Sequence, residues 1–416
     1  MNTLFLLMGL LLLAYLGSFL TARGVSGGLA SGVEVAALGF VLGPQALDLV
    51  GPDDLTAFEP VVQAAIGWLA FGVGLEFGLA GDRRASWSIL ALASFGSLFT
   101  ECAVGVAAWF ALGWVGVPLP ATDRLLVAGG VAVACSQTTR HAIRWTLGVP
   151  GAPGSLAATL NAIAHSDDLV PLVALAALFA IGGSQGMHDA SALWRAGTVV
   201  RNGLAITVGM GLALGAGASI LLRSEMRIED TWAMLFGVAL LAIGTGARMG
   251  MSTLTTAFFM GLAVSAFCPH GPELRAMVAP TERPVLLPAL LLAGARIDLH
   301  AVPSLPIIAG AALLARVVAT IVLGWLLEIG CQPARRAGPL VGLSLIASGS
   351  LAMCIGLSFA LRFPGRVGDT VLVVSVLSAL LGEFAGPASV RRVLEAAGEF
   401  ENGRAPAASA SSKAMA

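Results

Sequence analysis

The segment Asn161-Ala-Ile-Ala-His-Ser-Asp-Asp-Leu-Val-Pro171 places two adjacent carboxylates, Asp167 and Asp168, in the middle of a long apolar run. That run covers residues 154–182, and a helix needs only about 20 residues to cross the hydrocarbon core of a bilayer. A charge at the bilayer centre costs at least about 2.5 kcal/mol, so carboxylates at that depth usually serve a function. The segment therefore predicts a membrane helix with a proton or ion site near its midpoint.

The composition predicts the same class of protein. Of the 416 residues, 57% are hydrophobic and 11% are charged, whereas soluble domains carry about 25% charged residues. The formal net charge of −1 provides no basic surface for nucleic acid. These values exclude a soluble enzyme, a disordered chain and a nucleic-acid-binding protein, and they predict an all-α polytopic protein of the lipid bilayer.

Breaks in the apolar pattern predict about thirteen transmembrane helices. The predicted spans cover residues 3–21, 28–45, 60–80, 87–114, 124–145, 154–182, 198–222, 230–247, 252–268, 284–297, 304–329, 336–361 and 367–386. Arginines are concentrated on alternate connections, which by the positive-inside rule predicts an external N-terminus and a cytoplasmic C-terminus. The first run lacks a basic leader and is interpreted as a retained helix rather than a signal peptide.

The aspartate pair suits exchange chemistry. Two adjacent carboxylates cannot both ionise cheaply in a medium of low dielectric constant, so the pair can hold a proton or a small cation, but not both at once. Arg316, inside the span 304–329, is the only deep cation. Because arginine does not deprotonate in proteins, it needs a permanent counter-charge. We expect one aspartate to pair with Arg316 and the other to titrate.

Three further polar residues are candidate accessory groups. Glu101, deep in the span 87–114, is interpreted as a second titrating group, a partner of Arg316 or Arg140, or a packing carboxyl kept protonated. His165 precedes Asp168 by three residues and shares its helical face, so it either tunes the carboxylates or bonds to the backbone. Asn161 lies one turn before His165.

Two polar stretches interrupt apolar spans, namely residues 134–140 and 344–350. Unwound stretches at corresponding positions of two halves mark the ion sites of transporters. The alternative is ordinary Ser and Thr hydrogen bonding within straight helices. The candidate contacts are Ser136, Thr138 and Thr139 in the first stretch and Ser348 and Ser350 in the second.

Several segments, taken in order, resemble one known family. They are Gly32-Val-Glu-Val-Ala-Ala-Leu-Gly-Phe-Val-Leu-Gly-Pro44, Phe71-Gly-Val-Gly-Leu-Glu76, Ser136-Gln-Thr-Thr139, Asp167-Asp168, Leu291-Leu-Ala-Gly-Ala-Arg-Ile-Asp298 and Arg316. Together they resemble the monovalent cation:proton antiporters, in the branch with bacterial sodium/proton exchangers and potassium efflux transporters. The resemblance covers residues 28–386.

The resemblance implies two inverted five-helix repeats with crossed broken helices. The implied division is an extra N-terminal helix in 1–27, repeats in 28–182 and 251–386, linker helices in 183–250, and a partly disordered cytoplasmic tail in 387–416. A core domain that carries the broken helices would move against a panel domain that forms a homodimer interface. The resemblance further implies that Asp168 binds the ion, that Asp167 is the partner of Arg316, and that no cofactor is needed.

We therefore predict a secondary active transporter, not an enzyme, in a bacterial inner membrane. It would exchange a monovalent cation, Na⁺ or alternatively K⁺ or Li⁺, for protons. The runner-up is a sodium-coupled symporter of a small organic solute on a related fold. Two further alternatives are less favoured. An intramembrane aspartyl protease needs aspartates on separate helices, whereas Asp167 and Asp168 are adjacent on one helix. A channel would be favoured only by an open pore. Ser-Gly-Ser at 348–350, where many relatives carry a charged residue, leaves the cation open, and the combination of a buried arginine with Asp-Asp leaves the stoichiometry open.

Overall fold

The computed structural model of the chain describes residues 8–10, 12–13, 15–16, 32–79, 87–139, 143, 154–183, 192–222, 228–268, 270–299, 304–330 and 332–399. Within these ranges every regular element is a helix. Most of the predicted first helix, 3–21, lies outside the described residues.

In chain order the helices are α1 (Val33–Leu42), α2 (Pro52–Ala57), α3 (Glu59–Leu79), α4 (Trp87–Val115), α5 (Ala121–Ser136), α6 (Ser155–Ser166), α7 (Leu169–Gly183), α8 (Ala192–Leu221), α9 (Ile228–Arg248), α10 (Thr253–Phe267), α11 (Gly271–Ala295), α12 (Leu305–Gly330), α13 (Gln332–Arg335), the 3₁₀ helix η1 (Pro339–Leu345), α14 (Ser350–Arg362) and α15 (Arg366–Ala396). In the described part of the chain, 8 helices are long and apolar enough to cross a membrane, or up to 9 with the bent pair η1–α14. The predicted all-α polytopic membrane class is confirmed.

Helix α11 begins well before its predicted span of 284–297. It starts at Gly271 and contains Pro280, Pro284 and Pro288 in its interior. Proline removes one backbone hydrogen bond from a helix, but membrane helices tolerate it because neighbouring groups satisfy the freed carbonyls. The helix therefore continues through its three prolines and does not begin at residue 284, where the apolar pattern places its start.

Helix α15 likewise extends beyond its predicted end at residue 386. It continues through Pro387 to Ala396. Residues 387–396, predicted as the start of a tail, are therefore the last turns of a membrane helix, and residues 400–416 of that tail lie outside the described part of the chain.

Glycines set the distances between neighbouring helices. A Cβ atom at Gly74 of α3 would overlap the Phe258 carbonyl of α10, and one at Gly261 of α10 would overlap the Phe71 carbonyl of α3. Helix pairs in lipid associate through this kind of close backbone approach. The same arrangement joins α1 to α11. At these positions glycine is needed for the close approach of the two helices.

This packing makes a testable prediction for Gly261. We expect Gly261→Val to destabilise the protein by about 1–3 kcal/mol or more, because the added side chain would separate α3 from α10. Gly237→Val is the matched control, since nothing lies within 4 Å of a Cβ atom at Gly237. Thermal unfolding in detergent measures both variants. Equal melting temperatures would show that α3 and α10 are not in close contact.

Candidate functional site

The predicted span 154–182 is interrupted at its two aspartates. Helix α6 ends at Ser166, and α7 begins at Leu169, with Asp167 and Asp168 in the turn between them. Pro171 supplies the physical reason, because it has no N–H to donate to the carbonyl of residue 167. Both aspartates are buried, with 5% and 6% of their surface exposed.

Two other helix breaks meet next to this turn. Helix α5 ends at Ser136, and η1 is separated from α14 by residues 346–349. The Thr139 amide donates to the Ala347 carbonyl at 2.8 Å, and Thr138 Oγ1 donates to the Leu345 carbonyl at 3.2 Å. Helix α5 therefore ends inside the first polar stretch, and the second stretch separates η1 from α14. The two unwound segments, here called the broken helices, contact each other.

Glycine is required at one point of this contact. A Cβ atom at Gly349 would overlap the side chain of Thr139. Any larger residue at position 349 would push the two unwound segments apart. Gly349 of the Ser-Gly-Ser sequence therefore has a steric role at the point where the two unwound segments meet, here called the crossing.

Arg316 lies at the same contact and is 1% exposed. Its Nη2 donates to the Gln137 carbonyl at 2.9 Å and to the Ile346 carbonyl at 3.0 Å. Its Nη1 donates to the Cys135 carbonyl and, at 3.3 Å, to Ser378 Oγ. Carbonyls at the end of a helix have no intrahelical donor and carry partial negative charge. One guanidinium therefore satisfies carbonyls from both broken helices.

This arrangement differs from the expected direct pair between Arg316 and an aspartate. Among the residues that the structure describes, the guanidinium donates its hydrogen bonds to carbonyls and one hydroxyl rather than to a carboxylate. Asp167 is the carboxylate that interacts with the guanidinium electrostatically. The two groups face a common cavity, so their attraction acts across it. The carbonyls outcompete the carboxylate because unwinding places them directly against Arg316.

The two adjacent aspartates face different cavities. Asp167 lines a core cavity of about 30 Å³ between α4 and α12, together with Arg316. Asp168 lines a larger cavity of about 120 Å³, here called the vestibule, bordered by α3 and α11. Neighbouring residues of a helix point about 100° apart, which explains the separation. Asp167 and Asp168 therefore have different surroundings and different access.

The polar lining of the core cavity comes from Asp167, Arg316 and hydroxyl side chains. The hydroxyls belong to Ser97, Thr100, Ser136, Thr138 and Thr320, whereas Leu, Ile, Ala and Gly residues form the rest of its wall. The vestibule is more polar. Its lining includes Gln137, Thr138, Thr139 and Ser350 on the side of the broken helices and Glu76, Arg275 and Glu282 on the opposite side.

Gln137 is a site residue that the sequence analysis passed over. Its Nε2 donates to Asp168 Oδ1 at 3.1 Å, and its Oε1 accepts from the Gly349 amide at 3.3 Å. The side chain therefore connects the aspartate to the second broken helix. Its position inside the polar stretch 134–140 could have indicated this role. A buried side-chain amide needs partners for both its NH₂ group and its carbonyl oxygen.

A charged cluster on the α3 and α11 side of the vestibule is a second feature that the sequence did not reveal. Arg275 of α11 bonds to Glu282 Oε1 at 2.7 Å and to Glu76 Oε2 of α3 at 3.2 Å. A Cβ atom at Gly72 would overlap the Glu282 carboxylate. Gly72 and Glu76, both within the Phe71–Glu76 segment, therefore serve one cluster that faces Asp168 across the vestibule.

The remaining predicted residues divide into two groups. Ser350 lines the vestibule, and Ser136 Oγ donates to Glu101 Oε1 at 3.3 Å, which places Glu101 beside the core cavity. Ser348 instead donates to the Ser378 carbonyl at 2.7 Å, so it ties the second broken helix to α15.

His165 and Asn161 lie away from both cavities. The ring of His165 stacks on Phe77 of α3, with 5.5 Å between ring centroids. Asn161 Oδ1 is buried and has no hydrogen-bond partner among the described residues. Neither lines the core cavity or the vestibule, whose described walls come from other residues.

Comparisons with known proteins identify the family and the fold. The family model described as "Sodium/hydrogen exchanger, transmembrane" matches residues 8–387. Among solved structures, the sodium proton antiporter MjNhaP1 from Methanocaldococcus jannaschii at pH 8 is similar, with a TM-score of 0.68, 15% identity, and coverage of 93% of this chain and 100% of that chain. An electron-microscopy structure of the same antiporter has a TM-score of 0.66, 16% identity, and coverage of 96% and 100%. A search of curated proteins finds no significant match.

Proposed function

Because the chain belongs to the sodium/hydrogen exchanger family, we propose that it exchanges Na⁺ for protons and that the two compete at Asp168. The observation that carries this proposal is the placement of Asp168. It is a buried carboxylate that lines the polar vestibule beside the contact of two broken helices. A carboxylate in that position binds either a proton or a cation, and the exclusion of one by the other couples their transport.

The groups around Asp168 suit a small monovalent cation. Thr139 and Ser350 bring hydroxyl oxygens to the same vestibule wall, and oxygen ligands are those that hard cations prefer. The amide of Gln137 orients the carboxylate. These ligands favour a bare ion over the organic solute of a symporter, which would need apolar and hydrogen-bonding contacts matched to its shape.

Asp167 and Arg316 take a different role in this proposal. Arg316 holds the unwound carbonyls of both broken helices together. Asp167 supplies negative charge across the core cavity and so balances the guanidinium. The pair keeps the crossing intact while Asp168 exchanges its ligand. Glu101, which accepts from Ser136, is a further carboxylate available for a proton.

Alternating access would expose Asp168 to one side of the membrane at a time. The core domain would carry α4 to α7 and α12 to α15, and the panel domain would carry α3 and α11 with the Arg275 cluster. We further propose a homodimer in a bacterial inner membrane, with the N-terminus outside and the C-terminus in the cytoplasm. The distribution of arginines supports this orientation.

The function is tested with purified protein in liposomes that contain a pH-sensitive dye. Addition of external Na⁺ should release protons from the lumen, and parallel additions of Li⁺ and K⁺ rank the cations. Choline, which is too large for oxygen coordination in the vestibule, is the control. If folded protein responds to none of these ions between pH 6 and 9, the antiporter proposal is wrong, and solute uptake driven by Na⁺ becomes the next test.

Gln137 provides a second test of the site. We expect Gln137→Leu to raise the KM for Na⁺ about tenfold, because a buried carboxylate loses one hydrogen-bond donor and the Gly349 amide loses its acceptor. Proton release as a function of Na⁺ concentration measures the KM. Gln63→Leu, a similar change on α3 where the side chain bonds to Glu59, should leave the KM unchanged. An unchanged KM in Gln137→Leu would remove Gln137 from the ion site.

A further inference from the structure

The C-terminal end of α15 closes with a motif that directs one side chain at another helix. Gly398 has a φ of +73°, in the left-handed region that favours glycine. The Gly398 amide donates to the Glu395 carbonyl at 3.0 Å, and the Glu399 amide donates to the Leu394 carbonyl at 3.0 Å. This pair of bonds is a Schellman motif. It fixes the backbone of Glu399 immediately after the chain has turned.

The carboxylate of Glu399 binds the N-terminus of α6. Its Oε1 accepts from the Leu156 amide at 2.7 Å and from Ser155 Oγ at 3.3 Å. Its Oε2 accepts from the Ala157 amide at 2.9 Å. The first amides of a helix have no intrahelical acceptor, and the positive end of the helix dipole attracts a carboxylate. A residue 242 positions away from Ala157 therefore caps this helix.

Both helix ends also contribute side chains to one buried apolar cluster. Leu156, Leu160 and Ala164 of α6 belong to one cluster of buried side chains together with residues from the last turns of α15. The contributing residues of α15 and its cap are Val390, Val393, Leu394 and Ala397. This cluster is separate from the main apolar core. The segment 390–399, here called the C-terminal clamp, is therefore a packed part of the fold.

Helices α6 and α15 are also connected through the site. The 12-residue helix α6 ends at Ser166, directly before Asp167. Ser378 in the middle of α15 accepts from Arg316 Nη1 and, through its carbonyl, from Ser348 Oγ. Helix α6 thus contacts Glu399 at its N-terminal end and leads into the aspartates at its C-terminal end. These two ends are about 18 Å apart along the helix axis.

We propose that Glu399 is a positioning residue, whose carboxylate holds the aspartate-bearing helix α6 to α15 so that both move together during transport. This inference rests on the proposed antiport. Asp168 and its Gln137 contact lie at the far end of α6, so loss of the clamp leaves cation binding intact. Turnover depends on α6 and α15 moving as one unit, so it falls when the clamp is lost.

The test compares Glu399→Ala with Glu395→Ala. Glu395 is on the last turn of the same helix, has the same charge, and bonds to the exposed Arg391 of α15 rather than to α6. In Glu399→Ala we expect turnover to fall about fivefold, as for one lost helix cap, with the KM for Na⁺ within twofold of wild type. Glu399→Gln keeps one acceptor oxygen without the charge, so its turnover should lie between those of the wild type and Glu399→Ala. Glu395→Ala should behave as wild type.

Amide hydrogen exchange gives a readout that does not depend on transport. The amides of Leu156 and Ala157 should exchange faster in Glu399→Ala and at the wild-type rate in Glu395→Ala. Faster exchange with unchanged turnover would show that Glu399 is only a structural cap, which overturns the proposal. Unchanged exchange would show that the clamp does not form. If wild-type protein transports no cation, the antiport proposal fails, while the exchange data still decide whether the clamp exists.

Discussion

Replacement of Asp168 by asparagine is expected to abolish Na⁺-driven proton release while the protein remains folded. Asparagine has the same shape, and its carbonyl oxygen can still accept from Gln137, which donates to Asp168 Oδ1 at 3.1 Å in the wild-type protein. The substitution removes only the charge that a proton or a cation neutralises. Loss of one partner of a buried charge pair costs about 2–5 kcal/mol, so we expect exchange to fall about 100-fold or more.

Two measurements separate this effect from misfolding. Calorimetry in buffers of different ionisation enthalpy should show proton release upon Na⁺ binding in the wild type and no binding in Asp168→Asn. Asp230→Asn, which changes an exposed acid on α9, should retain binding and exchange. Exchange near the wild-type rate in Asp168→Asn would mean that the shared site is elsewhere, with Asp167 and Glu101 as the next carboxylates to examine.

Replacement of Arg316 by alanine should have the largest effect on stability. The guanidinium donates to carbonyls of both broken helices, including those of Gln137 and Ile346, and to Ser378. Each buried polar group left without a partner costs about 1–3 kcal/mol. Because at least two carbonyls would lose their donor, we expect a loss of more than about 3 kcal/mol in the free energy of unfolding. The crossing would no longer hold its geometry, and exchange would stop.

Arg316→Lys provides the comparison that identifies the mechanism. Lysine keeps the charge, but its ammonium lacks the planar fork that reaches several carbonyls at once. We expect its melting temperature to lie between those of the wild type and Arg316→Ala. Arg391→Ala, on the exposed face of α15, should melt as the wild type. If Arg316→Ala melts at the wild-type temperature, the guanidinium does not stabilise the crossing.

Much of the site is visible in local sequence. The Asp-Asp pair predicts the buried carboxylates, whereas the apolar pattern predicts a continuous helix over 154–182 and does not reveal the interruption before Pro171. Polar residues inside the apolar span 124–145 predict the first break. These features depend on residues close together in the chain and on the cost of polar groups in lipid, so no knowledge of the rest of the fold is needed.

Other features depend on residues that are far apart in the chain. Arg316 was expected to meet an aspartate, but it bonds to carbonyls, because the two unwound segments converge on it from different parts of the chain. Gln137 connects the two unwound segments because the Gly349 amide, 212 residues away in the chain, lies next to its side-chain oxygen. Sequence spacing does not reveal which of many buried donors and acceptors will be neighbours.

The order of residues along the chain is enough to predict a helical membrane protein with carboxylates inside its spans. Apolar runs of spanning length and the energetic cost of charge in lipid are sufficient for that conclusion. The different cavities of Asp167 and Asp168 and the cap that Glu399 forms on α6 follow from the folded arrangement alone. Length and polarity are properties of a segment, whereas the partners of a side chain depend on how distant helices pack.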